Sequence, residues 1–82
     1  MTEYQIAELV DTRGMLCPMP IVLANKTMKR LAIGDIMKIL ATDKGAIKDF
    51  PAWASDTGNE IVSSGEEEGA LVFLIRKGED DD

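Results

Sequence analysis

Apolar and polar positions alternate from Ile6 to Asp11, with Ala7 and Leu9 on one side and Ile6 and Val10 on the other. A period of two predicts a short first strand. From Pro18 to about Leu31 the period lengthens: Ile21, Ala24, Met28 and Leu31 recur at spacings of three and four, the buried stripe of a helix. Lys26, Lys29 and Arg30 gather toward the end of that helix, where cations suit the macrodipole, and Gly34 is placed to end it. Alternation returns from Ile36 to Thr42, with Met37, Ile39 and Ala41 opposite Ile36, Lys38 and Leu40. Strand, helix, strand predicts a parallel pair joined by a right-handed crossover.

The next stretch is less regular. Asp43 to Asp49 reads as a turn with partial helical winding, because Pro51 removes an i to i−4 bond from any helix that runs through it. A helix then resumes around Pro51, with Ile47, Phe50, Trp53 and Ala54 toward the sheet and Gly58 as its stop. Glu60 to Ser64 predicts a third strand, Gly65 to Gly69 a glutamate-rich turn, and Ala70 to Ile75 a fourth strand. The fourth is apolar on both faces, Leu71, Phe73 and Ile75 on one and Val72 and Leu74 on the other, which places it inside the sheet. The order βαβαββ predicts a two-layer α/β sandwich: a four-stranded mixed sheet, two helices on one face, the other face at least partly open. Residues 1–82 are expected to form one domain, with an ordered core from Ile6 to Lys77 and a solvated acidic tail from Glu79.

Composition narrows the function. Fifteen acidic against nine basic residues give a net charge of −6, whereas a nucleic-acid binder is expected to carry a basic footprint. The chain has no histidine, which excludes a His-assisted cysteine hydrolase. With a single cysteine and no histidine it also offers no cluster of preferred zinc ligands, so no metal site is expected; that no organic cofactor is required follows only from the family resemblance given below. No apolar run approaches the roughly 20 residues that span a bilayer. Met1 to Ala7 has no basic segment leading into an apolar core, so no export signal is expected. One cysteine cannot form an internal disulfide, and the expected compartment is the reducing cytoplasm.

That cysteine lies in the stretch from Arg13 to Pro20, followed by Pro18, Met19 and Pro20. A residue before proline is held extended, so the chain is expected to turn at Cys17, with Cys17 as helix N-cap, Pro18 as the first helical residue and Pro20 as the third. Both prolines then sit where a missing N–H costs the helical ladder nothing, and the Met19 N–H is the donor left for the sulfur. The helix N-terminus and Arg13 supply positive charge, which predicts a thiol pKa below the free value of roughly 8.5. The competing reading of Cys17 is a small buried hydrophobe. Gly14 gives the preceding loop its tight turn. Met19, Val22 and Lys26 share a helix face other than the buried stripe and read as a docking patch bordering the sulfur, against ordinary solvated surface.

The motif Cys17-Pro18-Met19-Pro20 resembles that of the TusA family of sulfur carriers, also called SirA-like or YedF-like proteins. The resemblance extends to Asp11, Gly14, Lys26, Gly34-Asp35, Asp49-Phe50-Pro51, Gly58-Asn59-Glu60 and the run from Leu74 to Gly78, nearly the whole chain. It implies the same fold and a role for Cys17 as a nucleophile that carries sulfane sulfur as a persulfide. Pro18 and Pro20 would hold it at the helix start, and Asp11 and Gly14 would shape the loop. Implied partners are a donor such as a cysteine desulfurase or rhodanese-like protein and an acceptor of the DsrE or TusD type. The carrier itself is expected to be a monomer that binds neither nucleic acid nor membrane. Some relatives have a second cysteine where this chain has Ala54 and a histidine where it has Asn59, so an internal resolving thiol is missing here. The rival functions are a single-cysteine thiol redox protein or peroxide sensor, which would need an external resolving thiol, and a regulatory or RNA-associated module suggested by fold alone.

Overall fold

The computed structural model describes residues 4–16 and 18–78. Its elements are β1 (Ile6–Thr12), α1 (Met19–Arg30), β2 (Ile36–Ala41), α2 (Ala46–Thr57), β3 (Glu60–Glu67) and β4 (Ala70–Arg76). The strands form one sheet in the order β1-β2-β4-β3, with β1 parallel to β2 and the other pairs antiparallel. This is the α/β class with a four-stranded mixed sheet that the patterning predicts, and β4 lies inside the sheet as its apolar character requires. α1 packs on β1 and β2, α2 packs on β3 and β4, and the two helices touch. No helix among the described residues is long and apolar enough to cross a membrane.

The core forms between the helices and one sheet face. Met37, Ile39 and Ala41 of β2 are fully buried there, beside Phe73 and Ile75 of β4. α1 contributes Ala24 and Met28, with Ile21 and Leu31 partly buried against them, so the expected stripe is the packed face. Phe50 of α2 sits centrally, with its ring centroid 5.1 Å from Phe73 and 6.1 Å, edge to face, from Trp53. The Trp53 indole N–H donates to Asn25 Oδ1 at 3.4 Å, which gives the buried ring a polar outlet on α1.

Several boundaries differ from the sequence pattern, each for a local reason. β1 includes Thr12, whose hydroxyl is fully buried and donates to the Leu40 carbonyl at 2.6 Å, adding a side-chain tie to the strand pairing. α2 runs unbroken through Pro51. Pro51 and Ile47 are both exposed, so water can take the carbonyl that the proline leaves unpaired, and one lost bond near the helix start does not interrupt it. Ile47, expected to face the sheet, is 56% exposed. The β3–β4 connection is shorter than expected: Glu67 pairs with Ala70 across Glu68 and Gly69, at φ 50° and 82°. Two successive positive φ values are the signature of a type I′ turn, whose twist matches that of the strands it joins. Gly34 does not terminate α1, since Leu31 already turns extended; with φ 96°, Gly34 instead starts the chain into β2.

At the end of the sheet where β4 finishes, the chain ties the layers together. The Gly34 N–H donates to the Lys77 carbonyl and the Lys77 N–H to the Asp35 carbonyl, both at 2.8 Å. The Lys77 ammonium caps α1 through the Leu31 carbonyl at 2.7 Å, a favourable place for a cation. α2 ends in a Schellman motif, with Gly58 at φ 75° and the Asn59 N–H donating to the Ala54 carbonyl at 2.9 Å. Asn59 Oδ1 then accepts the Gly78 N–H at 3.0 Å. Gly78 lies so close to the Gly58 carbonyl that a β-carbon there would overlap backbone atoms. Gly78→Ala must push β4 away from the α2 cap, and overpacking of this kind costs on the order of 1–3 kcal/mol. A urea titration should show the lower midpoint; an unchanged midpoint would mean that this contact does not hold the layers.

Candidate functional site

The loop from β1 to α1 carries the sequence-predicted site. Cys17 itself lies outside the described residues, but the N-cap position expected for it falls on Pro18. The flanking backbone corrects the helix start by one position: Pro18 occupies the N-cap position at φ −98° and ψ 10°, and α1 begins at Met19. Pro20 is therefore the second helical residue. Both prolines still sit ahead of the hydrogen-bonded ladder, whose first bond runs from the Val22 N–H to the Pro18 carbonyl at 3.1 Å. Pro20 is buried, at a narrow crevice where the start of α1 meets Ala46 and Phe50 of α2, so it packs as well as stiffens.

The loop is anchored at two points. The buried Thr12 hydroxyl fixes the end of β1 to Leu40, and the Gly14 N–H donates to Thr42 Oγ1 at 2.9 Å. Between them the Met15 N–H closes a turn on the Thr12 carbonyl at 3.1 Å, with Gly14 at φ 83°. A side chain at this φ is strained, which is the physical basis for glycine here. Asp11 holds Arg13 through three bonds: its Oδ1 accepts the backbone N–H at 3.1 Å and Nε–H at 2.8 Å, and its Oδ2 accepts Nη2–H at 2.7 Å.

This pairing alters the electrostatics expected from sequence. The side-chain bonds from Arg13, and then its backbone N–H, hold the Asp11 carboxyl down to about 2, and the Arg13 pKa is raised in turn by Asp11. The guanidinium is thus answered within its own loop, and the pair is close to neutral at any distance. The Met19 N–H, expected as a donor to the sulfur, donates to the Leu16 carbonyl at 3.0 Å. The N-terminus of α1, whose first turn holds no acidic residue, supplies the partial positive charge of the helix dipole beside this loop.

Around the loop the surface is apolar and open. Met19 and Val22, two of the expected docking residues, are 45% and 41% exposed, and Lys26 is exposed on the same helix. Leu16 is 73% exposed and Met15 also faces solvent. Neither was legible as a surface residue, because a loop has no period from which to infer a face. Thr12 and Thr42 were also missed as anchors; the only hint in the sequence is a hydroxyl residue at the end of each of two parallel strands. Among the described residues no group of three or more histidine, cysteine, aspartate or glutamate side chains is placed to hold a metal ion.

A two-layer α/β fold with an anchored loop and exposed apolar side chains ahead of α1, where the sequence sets its one cysteine before Pro18, has the makings of a thiol carrier. Over residues 8–77 the chain matches the family described as sulfurtransferase TusA, and it belongs to that family. The sulfur carrier protein TusA of Allochromatium vinosum is 46% identical over 68 residues, 83% of this chain and 90% of that one. A putative sulfur carrier protein of Bacillus subtilis, YrkI, is 41% identical over 71 residues, 87% of this chain and 95% of its own. The crystal structure of a SirA-like protein from Desulfitobacterium hafniense superposes with a TM-score of 0.77 at 23% identity, over 88% of this chain and 99% of that one, a likeness of fold.

The Asp11–Arg13 pair has a testable pH signature. A carboxyl held at about 2 in the folded protein, against 3.8 ordinarily, stabilises the loop above the ordinary value and loses that contribution as pH falls through about 2. Both side chains are exposed, so the change belongs to the loop and not to global unfolding. In an NMR titration the Arg13 amide should move with a midpoint near the lowered value. A midpoint at the ordinary carboxyl value would show that the bidentate pair does not form in solution.

Proposed function

We propose that the protein is a sulfur carrier whose Cys17 accepts a sulfane sulfur from one protein and delivers it to another. The Cys17 thiolate attacks the outer sulfur of a donor persulfide; a new sulfur–sulfur bond forms on Cys17, the donor's bond breaks, and the donor leaves as a thiolate. In the second step the acceptor thiolate attacks the outer sulfur of the Cys17 persulfide, and Cys17 leaves in its turn. No net oxidation occurs and no cofactor is needed. The observation that carries this reading is the anchored loop ahead of α1, which in the sequence holds the chain's one cysteine and whose neighbours Leu16, Met19 and Val22 are exposed. Family membership over residues 8–77 supports it.

The remaining roles follow from the frame. Pro18 and Pro20 fix the approach of Cys17 to the helix, Gly14 and Asp11 hold the loop, and Arg13 serves the loop through Asp11. Met19, Val22 and Lys26, joined by Met15 and Leu16, form the surface that a donor or acceptor covers during transfer. We take the donor to be a cysteine desulfurase or rhodanese-like protein, the acceptor a DsrE-like one, and the setting a cytoplasmic relay. The protein is an enzyme in the limited sense of a sulfurtransferase whose turnover depends on these partners.

Intact-mass spectrometry tests the chemistry. After loading, the protein should gain the mass of one or more sulfur atoms, and Cys17→Ser should gain none; a gain of oxygen alone would assign Cys17 to peroxide sensing instead. The docking role separates from the chemistry by comparing a protein donor with a small polysulfide. Leu16→Glu and Lys26→Glu should slow loading by a partner roughly tenfold, leave polysulfide loading unchanged, and change stability by less than about 0.5 kcal/mol. Equal rates from the protein donor would remove these residues from the interface.

A further inference from the structure

On the flank of the domain away from α1, a groove opens between α2 and β3 over β4. Ile47 and Pro51 of α2, Ile61 of β3, and Leu71 and Phe73 of β4 line this groove of about 630 Å³. Its outer wall is β3, an edge strand with no neighbour on its far side among the described residues. Beyond an irregularity between Ile61 and Ser63, β3 pairs regularly with β4 from Ser63 to Glu67, and these five residues are all exposed. Edge strands are commonly blocked by proline or by lysine; this one holds neither. It holds glutamates instead. Glu66 lines the groove, Glu67 pairs with Lys38 at 3.4 Å, and Glu68 stands in the turn; no basic side chain lines the groove.

We propose that this groove and the edge of β3 receive an extended basic segment of a partner polypeptide, which adds a strand beside Ser63–Glu67 and, at successive groove-facing positions two residues apart, sets an aliphatic side chain in the groove and a cation opposite Glu66. The charges select this occupant. A second copy of the chain would bring glutamates of the same sign against Glu66 to Glu68, and a nucleic acid would meet the same repulsion from a protein of net charge −6. Ser64 and Glu66 share the groove face with Phe73 and Leu71, so a strand that carries an aliphatic and then a basic side chain at successive alternate positions satisfies both the apolar lining and the carboxylate, with backbone bonds supplying affinity and the groove supplying selectivity. The location fits a partner that also visits the cysteine loop. Thr12, Ala41, Leu71 and Glu66 follow one another in register across the sheet, so the acidic part of β3 lies at the same end as the loop, and Glu68 bears on the charge of Arg13. That the partner is a sulfur donor or acceptor rests on the carrier reading above; the binding site does not.

The experiment therefore uses isotope-labelled Cys17→Ser protein, which can carry no sulfur, and as probe a short capped threonine peptide with valine and lysine two residues apart, so that both face the groove. Amide shifts should concentrate at Ser63 to Glu67, Ile47 and Ile61, hydrogen exchange along β3 should slow, and a glutamate–valine peptide should do neither. Glu66→Lys should weaken binding roughly tenfold. Ile47→Ser, at an exposed position, should weaken it without loss of fold. The proposal is overturned if the shifts spread over all acidic surfaces without slower exchange in β3, if both variants bind as the parent does, or if sedimentation shows the face closed by a second copy.

Discussion

The parallel pairing of β1 with β2 is the constraint from which the rest of the molecule follows. Two parallel strands need a crossover, and the crossover helix must begin at the end of the sheet where β1 finishes. The β1–α1 loop therefore lies at the C-terminal ends of both strands, and its position is set by topology before any side chain is considered. Two threonines then fix its conformation. Thr12, at the end of β1, bonds to Leu40 of β2, and Thr42, just beyond β2, receives the loop's Gly14. Each bond joins the end of one strand to the end of the other. A buried hydroxyl left without a partner costs about 1–3 kcal/mol, so the Thr12 bond penalises any shift of the loop. Among the described residues no buried side-chain polar atom lacks a partner.

Charge is distributed to suit that loop. Asp11 and Arg13 answer one another inside it, the first turn of α1 holds no acid, and the cations Lys29 and Arg30 lie at the helix's far end. The field at the start of α1 is then chiefly that of the helix, short in range and hard to screen by neighbours. The excess of acidic residues is carried elsewhere, three glutamates in succession on β3 and its turn. That acidic edge discourages strand pairing between copies.

Periodicity made most of the fold legible. The α1 stripe, the alternating faces of β2 and the doubly apolar β4 each follow from a period that the packed structure preserves, because the core is built from those faces. Pro51 misled because the rule against interior proline concerns a lost bond and a displaced carbonyl, and an exposed face near a helix start tolerates both. The two-residue hairpin was hidden because Glu68, and not asparagine or aspartate, takes the first positive φ. At the site, the prolines and the glycine announced the backbone, since both act through local geometry. The Asp11–Arg13 clasp and the Leu16 carbonyl's hold on Met19 were not legible, for they depend on how a loop closes and no pattern of residue types encodes that closure.

The two ends of the sheet divide stability from recognition. A fold of this size buries a modest fraction of its surface and holds little stability in reserve. At the loop end, exposed Leu16, Met19, Val22 and Ile47 contribute apolar surface that the core does not use. The opposite end compensates by density of ties: Lys77 caps α1, Asn59 links the α2 cap to Gly78, and Gly78 is pressed against Gly58. These ties lock both helix C-termini to the end of β4, the strand that occupies the sheet interior. Substitutions at that end should act on both helices at once, whereas the loop end can vary its surface while the sheet beneath it stays fixed. Under the proposed transfer at Cys17 the carrier meets two partners through one atom, and this separation serves it, because side chains chosen for docking cannot also be chosen for packing.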